Sequence, residues 1–265
     1  MLIAIDCGNT NTVIGLYEGE APSGTFRHSY RFDTQPECDG LAYAERFGVE
    51  IAAAGLKDPA FDGAVIASVV PDALAGLVTF AQGVTGREPL VIGAAGTDLG
   101  MRVLVDHPSE VGADRLVNAV AAHALYEGPL ILLDFGTATT FDVITEKGDY
   151  AGGVIAPGIN LALGALHDAA ALLPEVEVTR PERVIGTGTV SAMQSGIYWG
   201  YVGLIEGIVA RIGAEYGDRE EAPFKVIATG GLAPLFADGT DIIELTEPNL
   251  TLMGLALVYH MNRAS

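Results

Sequence analysis

Lysine is scarce in this chain. The 265 residues hold only Lys57, Lys147 and Lys225, and 14 basic residues in all stand against 34 acidic ones, for a net charge of −20. A field of that sign repels phosphate backbones and argues against a nucleic-acid partner. No lysine lies in a glycine-rich loop. Gly186-Thr187-Gly188-Thr189 has neither the lysine nor the spacing of a P-loop, and the protein-kinase motif set is missing. Cysteine is rarer still: Cys7 and Cys38 allow one bridge on paper but exclude a disulfide framework and a four-cysteine zinc site. Cys7 lies in an apolar strand-to-turn segment and reads as a small buried side chain. The five histidines, His28, His107, His123, His167 and His260, show no metal-ligand spacing. His107, before Pro108, reads as a loop residue. No apolar run reaches the ~20 residues that span a bilayer. The opening Met-Leu-Ile-Ala-Ile reaches Asp6 without a basic stretch, so it reads as a first strand and not a signal peptide. The cytoplasm is the default compartment.

What is present is an α/β pattern that repeats. The composition, 49% hydrophobic and 18% charged, suits a globular chain long enough for two modest cores. Residues 2–17 form an apolar strand ending at Asp6, a Gly-Asn-Thr turn and a second apolar strand. Residues 129–144 follow the same plan around Asp134, an offset of 134 − 6 = 128 residues. Glu18-Gly19-Glu20 and Glu146-Lys147-Gly148-Asp149 then turn each half into a third strand. Two similar α/β lobes are expected, residues 1–127 and 128–265, with their turns facing each other across a cleft. The remainder alternates. A strand over residues 63–70 stops at Pro71, a helix runs to Thr85, and a short strand spans 90–92. Residues 113–126 and 189–216 are helical, the latter with a break near Gly200–Gly203, where Trp199 and Tyr201 read as core or dimer contacts. Strands at 225–229 and 242–245 precede a last helix from Leu250.

Three segments carry nucleotide chemistry. Asp6-Cys7-Gly8-Asn9-Thr10-Asn11-Thr12 sits at a strand end, where glycine lets backbone N–H groups approach phosphate oxygens and Asn and Thr add neutral donors. Asp6 suits a hydrated magnesium ion. A hairpin with a capping aspartate would account for one such turn, but not readily for two at corresponding places. In Asp134-Phe135-Gly136-Thr137-Ala138-Thr139-Thr140, Gly136 and Thr137 suit the far phosphates and Asp134 a cation, while Thr140 reads as a strand residue. Gly230-Gly231, between a strand and a helix, lets a flat group such as adenine with its ribose lie against backbone. A surface this acidic also repels ATP, so backbone N–H groups and metal ions have to hold it.

Together the three segments resemble the nucleotide signature of the acetate kinase/sugar kinase/Hsp70/actin superfamily. With His107-Pro108-Ser109-Glu110-Val111-Gly112-Ala113-Asp114-Arg115, GGVIAPG, GTVSAMQSG and ATGGLAPL, the chain resembles the type III pantothenate kinases over essentially its full length. That resemblance implies duplicated ribonuclease H-like (actin-like ATPase) lobes with a central nucleotide cleft. It implies phosphoryl transfer from ATP with Mg2+ to pantothenate, a monovalent cation (K+ or NH4+) at Asp134, and a homodimer with no membrane partner. By the same resemblance Gly112, Ala113, Asp114 and Arg115 bind pantothenate, and Asp114 acts on its hydroxyl. Thr189 contacts pantothenate, often from a neighbouring subunit, although a threonine there also suits a helix N-cap. Asp6 and Thr137 match phosphate and metal contacts. The chain departs from some relatives at Val105, where they carry a tyrosine lining the acceptor site, so a slightly altered pocket is expected. A sugar or carboxylate kinase of the same superfamily is one alternative. A non-catalytic, nucleotide-dependent regulatory protein is another, and Asp114 would have no purpose there.

Overall fold

The computed structural model describes residues 1–57, 59–169, 173–216 and 223–263. They form two compact units, one of residues 1–125 together with the segment from Asn249 onward, the other of residues 126–248.

In the first unit β1 (Leu2–Cys7), β2 (Asn11–Glu18), β3 (Thr25–Asp33), β4 (Gly63–Ser68) and β5 (Leu90–Val91) form one sheet in the order β3-β2-β1-β4-β5. β1 runs antiparallel to β2 and parallel to β4. The two parallel strands are buried almost throughout because helices cover both faces. Side chains of a strand alternate between faces. Ile3 and Ile5 join a core with Tyr43, Phe47, Leu77 and Phe80 of α1 (Gly40–Ala53) and α2 (Pro71–Thr85). Leu2 and Ala4 join another with Val117 of α3 (Ala113–Leu125) and Leu252, Leu255, Ala256 and Val258 of α7 (Leu250–Arg263). The helix ends follow local rules. Asp39 caps α1 by accepting the Ala42 N–H at 2.8 Å; α2 starts on Pro71 and stops at Gly86, left-handed at φ 67°.

In the second unit β6 (Leu130–Phe135), β7 (Ala138–Ile144), β8 (Tyr150–Pro157), β9 (Lys225–Gly230) and β10 (Leu245–Thr246) take the order β10-β9-β6-β7-β8, which repeats the first sheet position for position. α4 (Ile159–Ala169), α5 (Thr189–Tyr216) and the short α6 (Ala233–Ala237) complete it. Phe236 stacks on Phe135 at 5.2 Å and on Tyr198 at 5.4 Å, anchoring α6 and α5 to the sheet.

Three expectations change. α5 is one helix across Gly200–Gly203: each glycine costs helix propensity, about 1 kcal/mol, but Tyr198, Tyr201, Val202 and Ile205 are buried in the core and hold it. The last strand is shorter and later, Leu245–Thr246, while Ile243 is buried in the core from the preceding loop. The units also do not divide at one point near 127, because α7 carries its apolar face to α3 and to β1 and β4 of the first unit.

Two tyrosines, the buried Tyr43 and the half-buried Tyr126, set an alkaline limit on stability. Burial pushes the Tyr43 hydroxyl up to about 12. Burial and a hydrogen bond to Glu247 do the same for Tyr126, also to about 12. A folded pKa above the unfolded value of 10.0 means the unfolded chain loses its proton first, so stability is intact below that pH and falls between it and about 12. The urea midpoint is therefore expected to be lower at about pH 11 than at about pH 9; equal midpoints would contradict the packing of these rings.

Candidate functional site

The first aspartate turn hangs between β1 and β2. Asp6 pairs with Val13 of β2 and Ala67 of β4, at the carboxyl ends of the parallel strands, and is half-buried. The Gly8 N–H donates to the Asn11 carbonyl at 2.9 Å, which leaves Asn9 and Thr10 as the exposed tip. A third strand braces this tip. The Thr34 N–H, just past β3, donates to the Thr10 carbonyl at 2.9 Å, and the Thr34 hydroxyl donates to the Gly8 carbonyl at 2.7 Å. Thr12 is fully buried, with its Oγ1 2.9 Å from that of Thr34 and 3.4 Å from Cys7 Sγ. Both cysteines are free thiols, and Cys7 is buried as the sequence suggests.

The second turn is one residue shorter. Cys7 pairs with Thr12 in the first unit, whereas Phe135 pairs with Thr139 in the second, so the offset of 128 drops to 139 − 12 = 127 beyond the turn. The Gly136 N–H donates to the Ala138 carbonyl at 3.0 Å, and Gly136 and Thr137 are exposed. Asp134 pairs with Thr140 and with Thr229, and Phe135 with Gly230, so the second turn and the Gly230-Gly231 segment meet at one end of the sheet. Two glycines permit this closeness. A Cβ on Gly230, at φ 91°, would lie 2.6 Å from the Phe135 carbonyl oxygen; one on Gly158 would lie 2.1 Å from that of Thr137. The spacing of the residues did not single out Gly158, although it closes the GGVIAPG stretch.

The Gly112–Arg115 segment belongs to the first unit and opens α3. Gly112 caps the helix, its carbonyl accepting the Leu116 N–H at 3.2 Å. Asp114 turns its carboxylate back: Oδ1 accepts the Arg115 N–H at 2.8 Å and stands 2.5 Å from where a Gly112 Cβ would be. A Cβ at position 112 would push that carboxylate aside. The same absent Cβ would touch Val69 at 3.5 Å, and the Val69 N–H donates to the Cys7 carbonyl at 3.0 Å. Asp114 is thus within a few contacts of the first turn. Thr189, in the second unit, is the exposed first residue of α5 and not its cap. Gly188 holds the cap position, and Ser191 returns to it, accepting the Gly188 N–H at 3.1 Å.

A cavity of about 280 Å³ lies elsewhere in the first unit, lined by Ile14, Tyr30, Phe32, Arg46, Phe47, Val49 and Glu50. It contains none of the expected site residues, so cavity volume does not mark this chemistry. Among the described residues no three His, Cys, Asp or Glu converge as metal ligands, and no helix is long and apolar enough to cross a membrane. Each turn offers one carboxylate beside backbone carbonyls. That suits a magnesium ion keeping phosphate and water oxygens, and it does not suit a transition metal wanting several protein ligands.

Comparison with known proteins adds independent findings. The type III pantothenate kinase family model matches residues 2–211. A type III pantothenate kinase of Rhodospirillum rubrum is 51% identical over 263 residues, 99% of each chain. One of Paramagnetospirillum magneticum is 52% identical over 262 residues, 99% of this chain and 98% of its own. Among solved structures, a Campylobacter jejuni protein provisionally described as a Baf family transcriptional activator aligns over 99% of this chain and 100% of its own, with TM-score 0.60 and 16% identity. A Sinorhizobium meliloti protein provisionally described as a 2-dehydro-3-deoxygalactonokinase aligns over 100% and 96%, with TM-score 0.56 and 13% identity. Likeness at those identities speaks for the duplicated kinase-like fold alone.

Proposed function

Because the chain belongs to the type III pantothenate kinase family, we propose that Asp114 orients the pantothenate hydroxyl for attack on the γ-phosphorus of ATP. The enzyme is an ATP-dependent kinase that converts pantothenate to 4′-phosphopantothenate on the route to coenzyme A. A primary alcohol is too weak an acid for a carboxylate to ionise beforehand. Phosphoryl transfer passes through a loose transition state in which the proton leaves late, so an aspartate that aligns the hydroxyl and takes its proton as the new P–O bond forms is enough. The observation that carries this reading is the fold-back of Asp114, with Oδ1 held by the Arg115 N–H. Oδ2 then takes the hydroxyl. Arg115 is the proposed partner of the pantothenate carboxylate.

The remaining roles are assigned on the same footing. Backbone N–H groups of the Gly8–Thr12 turn and the Gly136–Thr137 turn hold ATP phosphates, and Gly230 and Gly231 lie along its nucleoside. Asp6 meets Mg2+ through water, and Asp134 meets a potassium or ammonium ion. Magnesium, when bound, offsets charge on the transferring phosphates. A homodimer is proposed through the second unit. The edge strand β8 exposes Val154 and Ile155, and Val184, Ile185 (81% exposed) and Val190 flank Thr189 in sequence. An exposed apolar edge of this kind calls for a cover. The two free thiols suit the reducing cytoplasm.

The test is a coupled assay offering pantothenate, glucose and acetate in turn, with sodium or potassium as the sole monovalent cation. Turnover is expected with pantothenate alone and faster in potassium. Folded protein inactive on pantothenate in both salts would overturn the assignment; equal rates in the two salts would remove the monovalent-ion role of Asp134.

A further inference from the structure

We propose that Thr34 is a positioning residue for ATP, setting the direction of the phosphate-binding N–H groups of the first turn; this rests on the reading of that turn as a phosphate site. The Thr34 hydroxyl has one proton, and the 2.7 Å contact to the Gly8 carbonyl uses it. The 2.9 Å contact with Thr12 then runs the other way: the Thr12 hydroxyl, which also faces Cys7 Sγ at 3.4 Å, donates chiefly to Thr34. Together with the Thr34 N–H on the Thr10 carbonyl, this draws two carbonyls of a four-residue turn toward β3. In a trans peptide the carbonyl and the next N–H point in opposite directions. Fixing the Gly8 carbonyl on Thr34 therefore turns the Asn9 N–H away from β3, at the exposed tip where a phosphate oxygen would be met. A free carbonyl there would be able to rotate outward and present negative charge to the anion instead.

The second unit shows that this position matters. Strand register makes Gly158 the counterpart of Thr34, since Asp33 pairs with Asn11 and Pro157 with Ala138. Gly158 reaches its turn by bare backbone, with no room for a Cβ beside the Thr137 carbonyl. In the first unit the Thr34 N–H reaches the corresponding Thr10 carbonyl at 2.9 Å, and the Thr34 hydroxyl adds a bond to the Gly8 carbonyl that a glycine cannot make.

Thr34→Val keeps the shape and removes the hydroxyl; Thr34→Ser keeps the hydroxyl. Titration calorimetry with a non-hydrolysable ATP analogue, with Asp6→Asn measured in parallel, separates the possibilities. In T34V the dissociation constant and the KM for ATP are expected to rise about tenfold, because binding must then supply the ordering of the turn that the hydroxyl supplied beforehand. The KM for pantothenate holds, T34S restores ATP binding, and D6N also weakens it. Normal ATP binding in T34V with weak binding in D6N overturns the role of Thr34. Normal binding in both overturns the phosphate reading of the turn and the proposal with it. A parallel rise in both KM values that T34S does not restore makes Thr34 merely structural, which also overturns it. Should T34V not fold, Thr34→Ala serves in its place under the same criteria.

Discussion

Asp114→Asn is expected to lower the rate of pantothenate phosphorylation by about 10²–10⁴-fold, the usual contribution of a placed general base. ATP affinity should stay within about twofold, because the loss falls on the transition state and not on nucleotide binding. Asparagine has nearly the same shape, and its side-chain oxygen can still accept the Arg115 N–H that holds the carboxylate at 2.8 Å. The fold-back over Gly112 therefore survives, and only the charge and proton affinity are lost. Single-turnover phosphoryl transfer, with nucleotide binding measured separately, gives the answer. Turnover close to that of the unaltered enzyme would show that Asp114 neither orients nor deprotonates the acceptor. A matched loss of ATP binding would show that the substitution damaged the unit instead.

Gly254→Ala is expected to destabilise the protein by about 2 kcal/mol or more, the upper part of the range for overpacking. For a chain of this size that lowers Tm by roughly 4–8 °C. The sign is informative, because propensity alone would favour alanine in a helix by about 1 kcal/mol. The new Cβ, however, would lie 2.0 Å from the Val117 carbonyl oxygen and 2.5 Å from its carbon. Both are backbone atoms of α3, so no side chain can rotate aside; α3 and α7 would have to separate across a face that includes Leu252, Leu255 and Val258. Thermal melts of G254A beside an exposed-site control such as Gly83→Ala, where nothing lies within 4 Å of the new atom, separate packing from propensity. A G254A protein as stable as its parent would mean that the helices do not meet at Gly254.

Much of the duplicated sheet was legible because its signal is redundant. An apolar strand, an aspartate and a glycine recur in one order, and both halves build the same five-strand order from them. The one-residue difference between the turns was hidden because Thr139 and Thr140 are the same residue type, so an ungapped alignment placed Thr140 opposite Thr12. α1 carried no clear stripe, since Leu41 and Val49 are exposed while Tyr43 and Phe47 are buried. The break expected in α5 came from counting glycines where aromatic packing decides. At the site, the turn glycines were visible because close approach to backbone demands them. The roles of Asp114, Arg115 and Thr189 came from family likeness, for their spacing has no period or motif logic of its own. Thr34 was invisible: a lone threonine after an edge strand acquires meaning only when the register sets it beside Gly8 and Thr10.

The placing of α7 also sets the order in which a growing chain can complete its parts. The second unit is continuous, residues 126–248, and has all its strands once Thr246 has left the ribosome. The first unit is begun earlier but needs Leu252, Leu255, Ala256 and Val258 to close the face formed by Leu2, Ala4, Val65, Ala67 and Val117. Until then that apolar surface waits in water, open to chaperones and to sticking. The half that is synthesised first is the half that finishes last, and a chain cut short before residue 250 would leave behind an aggregation-prone product.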